Sequence, residues 1–208
     1  MKNTRENILQ TALRLFAQHG YSSVSTSDIA GELGLSKGAL YKHYKNKRDI
    51  FDHLVKKMIQ IDEERSKQFF VPEKTFQDSP ESYSKISWEN FRHFALAQFD
   101  FWTKDPFASL FRKMLVLEQF KDAEMGNFLH ACLTSGPVNY VKDIFKTMIS
   151  NGILKKSDPE LLAIEFYSPL YLLVHFPEDE RAQQKRRRQL EKWIQQFHTF
   201  HSATLQQS

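Results

Sequence analysis

The sequence predicts an all-α protein of about nine helices, short ones at the front and a larger helical body behind. Three observations carry this. Apolar residues recur at helical spacing in window after window, while strand-like alternation is scarce. Only seven glycines occur in 208 residues, few for this length. The positive charge is concentrated at one end. Residues 1–60 carry ten of the 29 basic side chains and only five of the 25 acidic ones, so the net charge of +4 belongs to the front. Such a surplus suits a module that meets a polyanion, and a merely solubilising surface is the plainer alternative.

The first helix is expected from Arg5 to about His19, with Thr4 as its cap. Ile8, Leu9, Ala12, Leu13, Phe16 and Ala17 form one stripe, and Gly20 supplies a left-handed stop. Ser25 and Asp28 have the spacing of a capping box for a second helix carrying Ile29, Ala30 and Leu33. Gly34 ends that helix, Leu35 plugs the turn, and Ser36 caps a third helix reaching about Tyr44. Two helices crossing steeply need a small residue at the crossing, a glycine in the turn and an apolar anchor on the second helix. Ala30, Gly34 and Leu40 have that spacing. The stretch from Thr26 to Tyr44 therefore reads as a helix-turn-helix.

With Leu40 turned inward, Lys37, Ala39, Tyr41, Lys42 and His43 are left outside. Lys37 can donate to guanine acceptors and Ala39 can touch a thymine methyl. Tyr41, Lys42, His43 and Lys47 suit phosphate oxygens. Tyr44 is expected in the core. Asn46, with Asp49 three residues on, caps a longer helix through Ile50, Phe51, Leu54, Val55, Met58 and Ile61 to about Arg65.

These residues carry a resemblance. The patterns ILQTALRLFAQHGY, STSDIAGELGLS and above all KGALYKHYKNKRDIF resemble the N-terminal domain of the TetR family of bacterial transcriptional regulators. The resemblance covers about the first quarter of the chain. It implies a three-helix DNA-binding domain over 1–46 and a helical effector-binding and dimerisation domain over 47–208, with 47–65 as the connecting helix. Position by position it carries DNA contact to Thr26, Ser36, Lys37, Ala39, Tyr41, His43 and Lys47.

Behind the front, Ser66 to Ser84 holds Pro72 and Pro80 without a period and reads as a connecting loop or a partly disordered segment. Ser87 opens a helix to about Thr103, Asp105-Pro106 caps one to about Glu118, and Asp122 starts another. Ser135-Gly136-Pro137 should bend or break that one before Val138 to Asn151 resumes the pattern. Asp158-Pro159 opens an almost wholly apolar helix containing Pro169 and stopped at Pro177. A final amphipathic helix runs from Glu180 to about His201.

The 18 phenylalanines pose a question: a dense aromatic core or a lined cavity. As a cavity, the lining residues are Trp88, Phe91, Trp102, Phe111, Met114, Phe128 and Tyr140, suited to a hydrophobic or aromatic effector. The last two helices suit a subunit interface, a four-helix bundle with their symmetry mates, through Phe166, Leu170, Leu173, Trp193, Phe197 and Phe200. Burial within one subunit is the competing reading. The run Lys185-Arg186-Arg187-Arg188 reads as a solvated face, and Cys132, the only cysteine, as a small buried hydrophobe. His198 and His201 lie one turn apart without further metal ligands nearby, so no metal or cofactor is expected.

Taken together, these features point to a DNA-binding regulator, a repressor, held as a homodimer on a palindromic operator and answering a small molecule. A DNA-binding protein of chromosome organisation or division is one rival. A helical enzyme is the other, against which no catalytic grouping or phosphate loop is visible. With no signal peptide and no apolar run long enough for a bilayer, the expected place is the cytoplasm, on the nucleoid when bound to DNA.

Overall fold

The computed structural model describes residues 4–72, 76–176 and 180–203. Eleven helices occupy those residues. They are α1 (Thr4–His19), α2 (Thr26–Glu32), α3 (Lys37–Tyr41), α4 (Lys47–Gln68), α5 (Pro80–Ser84) and α6 (Trp88–Lys104), then α7 (Pro106–Glu118), α8 (Ala123–Leu133), α9 (Ser135–Ser150), α10 (Pro159–Val174) and α11 (Glu180–His201). None of the described helices is long and apolar enough to cross a membrane.

The helices begin where capping chemistry dictates. Asp105 Oδ1 accepts from the backbone N–H groups of Phe107 and Ala108, each at 2.9 Å, and Pro106 needs no hydrogen bond in the first turn. Asp158 caps α10 in the same way, ahead of Pro159. Asp122 caps α8 through Glu124 and Met125. The break expected at Ser135-Gly136-Pro137 falls one residue earlier, at Thr134 (φ −130°, ψ −96°), and the three residues form the first turn of α9. Gly136 is required there: a Cβ would lie 1.9 Å from the Ala131 carbonyl oxygen.

The chain forms two compact units. One comprises residues 1–62 and 104–129, the other residues 63–103 and 130–208. This grouping places α7 and the start of α8 with the first three helices, a different cut from a functional division after residue 46. In the first unit α1 packs on α7, and Phe16, Tyr21, Phe51 and Phe128 make a chain of ring contacts with centroids 5.0–5.7 Å apart.

The second unit is built on α9, α10 and α11. Its centre is a knot of rings in which Phe91, Phe145, Phe166 and Phe197 touch one another with centroids 4.9–5.4 Å apart. The end of α11 is tied to the α9–α10 connection by backbone bonds: Lys155 N–H to His201 O at 2.8 Å and Ala203 N–H to Ile153 O at 3.1 Å. The stretch expected as a loop is partly built. α4 runs on to Gln68, α5 forms within it, Tyr83 is fully buried, and the Tyr140 hydroxyl donates to Pro72 O at 2.9 Å.

Several expectations are corrected here. Phe166, Leu170 and Phe197 are buried among their own subunit's helices and have no surface to give a partner. Trp193 is half-buried and spends its indole N–H on Phe166 O at 3.2 Å, and Leu173 is half-buried as well. Only Phe200 of that set is well exposed, at 59%. The apolar surface of α10 lies instead at Leu161, Ile164, Tyr171 and Leu172, a single stripe along the helix. The basic run on α11 is not uniformly solvated, since Arg186 is buried and Arg187 pairs with Asp100 at 2.8 Å. Cys132 is half-buried rather than buried. α10 ends at Val174, and Pro177, expected as its stop, lies outside the described residues.

Candidate nucleic-acid interface

α2 and α3 are short helices, and short helices depend on their ends. Ser25 Oγ accepts from Asp28 N–H at 3.2 Å while the Asp28 carboxylate accepts from Ser25 N–H at 2.7 Å, a complete capping box. These hydrogen bonds hold the Asp28 carboxyl below the usual carboxylate range, so the box persists at neutral pH and opens only as pH falls through that lowered value. Gly34 takes φ +64° in the turn, where a side chain would be strained. Ser36 then caps α3 by accepting from Ala39 N–H at 3.2 Å.

The cap fixes which way α3 faces. Leu40 is fully buried, and Lys37, Tyr41, Lys42 and His43 are exposed, with Ala39 half-exposed beside them. The Lys37 ammonium sits 5.9 Å from the Tyr41 ring centroid. The structure therefore presents five of the eight expected contact residues on or just after one short helix, three of them cationic or able to become so. After Tyr41 the chain turns rather than continuing the helix to Tyr44, which is buried as expected and donates its hydroxyl to Arg5 O at 3.2 Å.

Three expected contacts have internal partners. Ser36 is the α3 cap. Thr26 is buried, and its hydroxyl shares a hydrogen bond at 3.2 Å with the Tyr41 hydroxyl, linking α2 to α3. Lys47 folds back on the α1–α2 connection, donating to Tyr21 O at 2.9 Å and Ser22 O at 3.4 Å, with its ammonium 4.4 Å from the Tyr21 ring centroid. Burial lowers its pKa, and the Glu118 carboxylate partly opposes that.

Glu118 is a residue that motif reading passed over. It is fully buried at the end of α7 and accepts from the Ser22 hydroxyl at 2.5 Å, with Lys121 Nζ at 3.5 Å. Gly20 approaches it so closely that a Cβ would lie 2.2 Å from its Oε1. The turn that leads into the helix-turn-helix is thus held by α7 from one side and by Lys47 from the other. Arg48 adds a fork onto Glu124, and that pairing, then its bond to Asp52, raises the guanidinium pKa further. A signal for Glu118 did exist, because it continues the apolar stripe of Phe111, Met114 and Leu115.

Replacing Glu118 by Leu leaves the Ser22 hydroxyl without its partner and Lys47 without its nearby anion. The expected loss is about 1–3 kcal/mol of stability. Glu118→Gln, which keeps an acceptor for Ser22, should lose less. Urea unfolding of the full chain measures both, and equal losses would mean that the charge rather than the hydrogen bond matters.

The seven residues proposed to line an effector cavity fall in both units, Phe111, Met114 and Phe128 in the first and Trp88, Phe91, Trp102 and Tyr140 in the second. Phe91 belongs to the ring knot, and Trp88 stacks on the His198 ring at 4.4 Å. Burial lowers the His198 pKa. His201 turns instead to Glu165 at 3.2 Å, and no cluster of three metal-ligating side chains occurs among the described residues.

A capped pair of short helices with a basic, exposed second member, braced by α1, defines a helix-turn-helix DNA-binding domain. Residues 8–54 match the family profile described as bacterial regulatory proteins, tetR family. Over 53 residues the chain is 47% identical to the HTH-type transcriptional regulator AcrR of Shigella flexneri, a match covering 26% of this chain and 25% of that one. It is 39% identical over 51 residues to a probable acrEF/envCD operon repressor of Escherichia coli K12, covering 24% and 23%. The matches thus span about a quarter of these relatives' length. Among solved structures, SmeT, the repressor of the Stenotrophomonas maltophilia multidrug efflux pump SmeDEF, superposes with a TM-score of 0.64 at 17% identity. That superposition covers 100% of this chain and 96% of SmeT, a likeness of fold. Residues 8–54 are thus an N-terminal domain of the TetR-family type. Its named relatives are transcriptional regulators, not enzymes.

Proposed function

We propose that this protein is a transcriptional repressor that binds a palindromic operator as a homodimer and releases or engages it in response to a small apolar molecule. The observation that carries the reading is the presentation of Lys37, Ala39, Tyr41, Lys42 and His43 on or just after a helix fixed by the Ser36 cap and the buried Leu40. A recognition helix reads bases from its N-terminal end and touches phosphates along its flanks, which gives Lys37 and Ala39 the bases and Tyr41, Lys42 and His43 the backbone. Thr26 acts by orienting Tyr41.

The exposed stripe on α10 supports dimerisation, since an apolar surface of this kind on a folded domain calls for a partner. Two-fold symmetry then sets the operator half-sites about one helical turn, ~10 bp, or a multiple of it apart. SmeT has been solved as a complex with triclosan, and a hydrophobic effector of that general character suits this chain's aromatic interior. α4 connects the residues of the two units along the chain, so an effector that prefers one arrangement of the dimer shifts the spacing of the reading heads. The cytoplasm, with association to the nucleoid through DNA, follows from this role.

Selection of bound sequences from random DNA tests the proposal. A single palindromic motif is the expected result, and dispersed binding without a motif would favour chromosome organisation instead. Two substitutions refine it. Lys37→Ala should cost about 1–3 kcal/mol on the selected site and little on random DNA. Lys47→Ala should weaken binding to every sequence and reduce the salt slope by about one. An affinity loss with an unchanged slope would assign Lys47 to holding the Tyr21–Ser22 turn rather than a phosphate.

A further inference from the structure

An open groove of about 440 Å³ lies between α1 and α4 in the first unit. Arg5 and Glu6 line it from α1, His53, Lys56 and Lys57 from α4, and Tyr44 from the turn that follows α3. Residues 53, 56 and 57 are one helical turn apart and share a face. Other cations of this unit are neutralised, Arg14 by Glu32 at 2.5 Å and Arg48 by Asp52 and Glu124. The groove keeps its charge. Glu6, its one acid among the described residues, is taken by Lys57 at 2.5 Å. Arg5 meets neutral groups: an Nη lies 2.6 Å from His53 Nε2, and its Cζ lies 5.4 Å from the Tyr44 ring centroid. His53 Nδ1 faces Asp49 O at 2.7 Å, so the neutral ring carries its proton there and accepts from Arg5 through Nε2. Lys56 is exposed and makes no ion pair among the described residues. Three cations against one acid leave a surplus of two positive charges, which repel one another until an anion enters.

We propose that this groove holds a phosphate of the DNA backbone flanking the bases read by α3, with Arg5 and Lys56 as its contacts. The Arg5 fork matches two phosphate oxygens, and Lys56 adds a mobile point charge. Two observations favour a backbone phosphate over a free small anion. Tyr44 directly follows the exposed Lys42 and His43, so the groove continues the reading surface. The groove is open rather than enclosed, which suits a polymer passing along it, whereas a small anion there would stay largely hydrated. Neither residue lies in the helix-turn-helix, and their contacts would fix register without reading sequence. The choice of DNA as occupant rests on the regulator reading above.

The test titrates the full chain with three duplexes over a range of salt: the selected site with long flanks, the same site trimmed at the outer edges of its half-sites, and a long random sequence. Lys56→Ala is the main variant, because its exposed side chain has no structural partner to lose. It should weaken binding to both long duplexes roughly 3–10-fold and lower the salt slope by about one for each subunit bound. On the trimmed duplex it should match the parent protein. Lys56→Arg should restore the long-duplex slope, and Lys156→Ala, an exposed lysine of the other unit, should change nothing. Arg5→Ala should repeat the loss, with its melting temperature measured beside it because Arg5 also contacts Tyr44. An unchanged slope for Lys56→Ala on the long duplexes, or an equal loss on the trimmed one, would overturn the proposal. So would inorganic phosphate that raises the melting temperature of the parent but not of Lys56→Ala while the DNA slope stays the same, since the groove would then serve a small anion. The two readings fail separately. A Lys56-dependent slope on random DNA without any selectable operator keeps the groove and removes the regulator, whereas a selected operator indifferent to Lys56 does the reverse.

Discussion

Leu161→Glu combined with Leu172→Glu is expected to turn the protein into a folded monomer that no longer holds its operator. The two side chains are 64% and 59% exposed on one stripe of α10, so a lone subunit gains or loses little by carrying charge there. A symmetric interface meets each substitution twice and would have to desolvate four carboxylates. Losing the second reading head removes the bivalent gain, which lowers operator affinity by about 10²–10⁴-fold. Sedimentation velocity and a binding titration at fixed salt decide it. A dimer that survives both charges would move the interface away from this face.

Phe197→Ala should cost about 3–5 kcal/mol of stability. The ring is fully buried and touches Phe145 at 5.4 Å and Phe166 at 5.1 Å, so its removal leaves a void between α6, α9 and α10 that stiff aromatic neighbours cannot close. The same substitution settles a question that sequence reasoning left open, whether Phe197 serves the interface or the core. A core residue lowers the melting temperature equally at every protein concentration. An interface residue makes the loss depend on concentration.

Local chemistry explains what could be read without coordinates. The Ser25–Asp28 box, the Ser36, Asp105, Asp122 and Asp158 caps, and the glycine stops at 20 and 34 act within four residues, so sequence spacing is enough to find them. Leu40 inward and Lys37 outward follow from the helical period alone, whereas Lys42 and His43 are exposed in the turn that follows α3. The periodicity of α10 and α11 was less informative, because a helix apolar on nearly all sides does not say which side meets its own subunit. Phe166, Leu170 and Phe197 went inward while Leu161, Ile164 and Leu172 stayed outside.

The sequence by itself determined the all-α class, the position of the helix-turn-helix and the face that α3 presents, since each depends on contacts between near neighbours in the chain. Only the tertiary structure decided which bonds the polar side chains make. Lys47 lies 26 residues from the carbonyl that holds it, Glu118 lies 96 from Ser22, and Arg187 lies 87 from Asp100. No spacing rule reaches that far. The same distance separates the solvated arginines of α11 from the buried one, because burial depends on what the fold brings across from another helix.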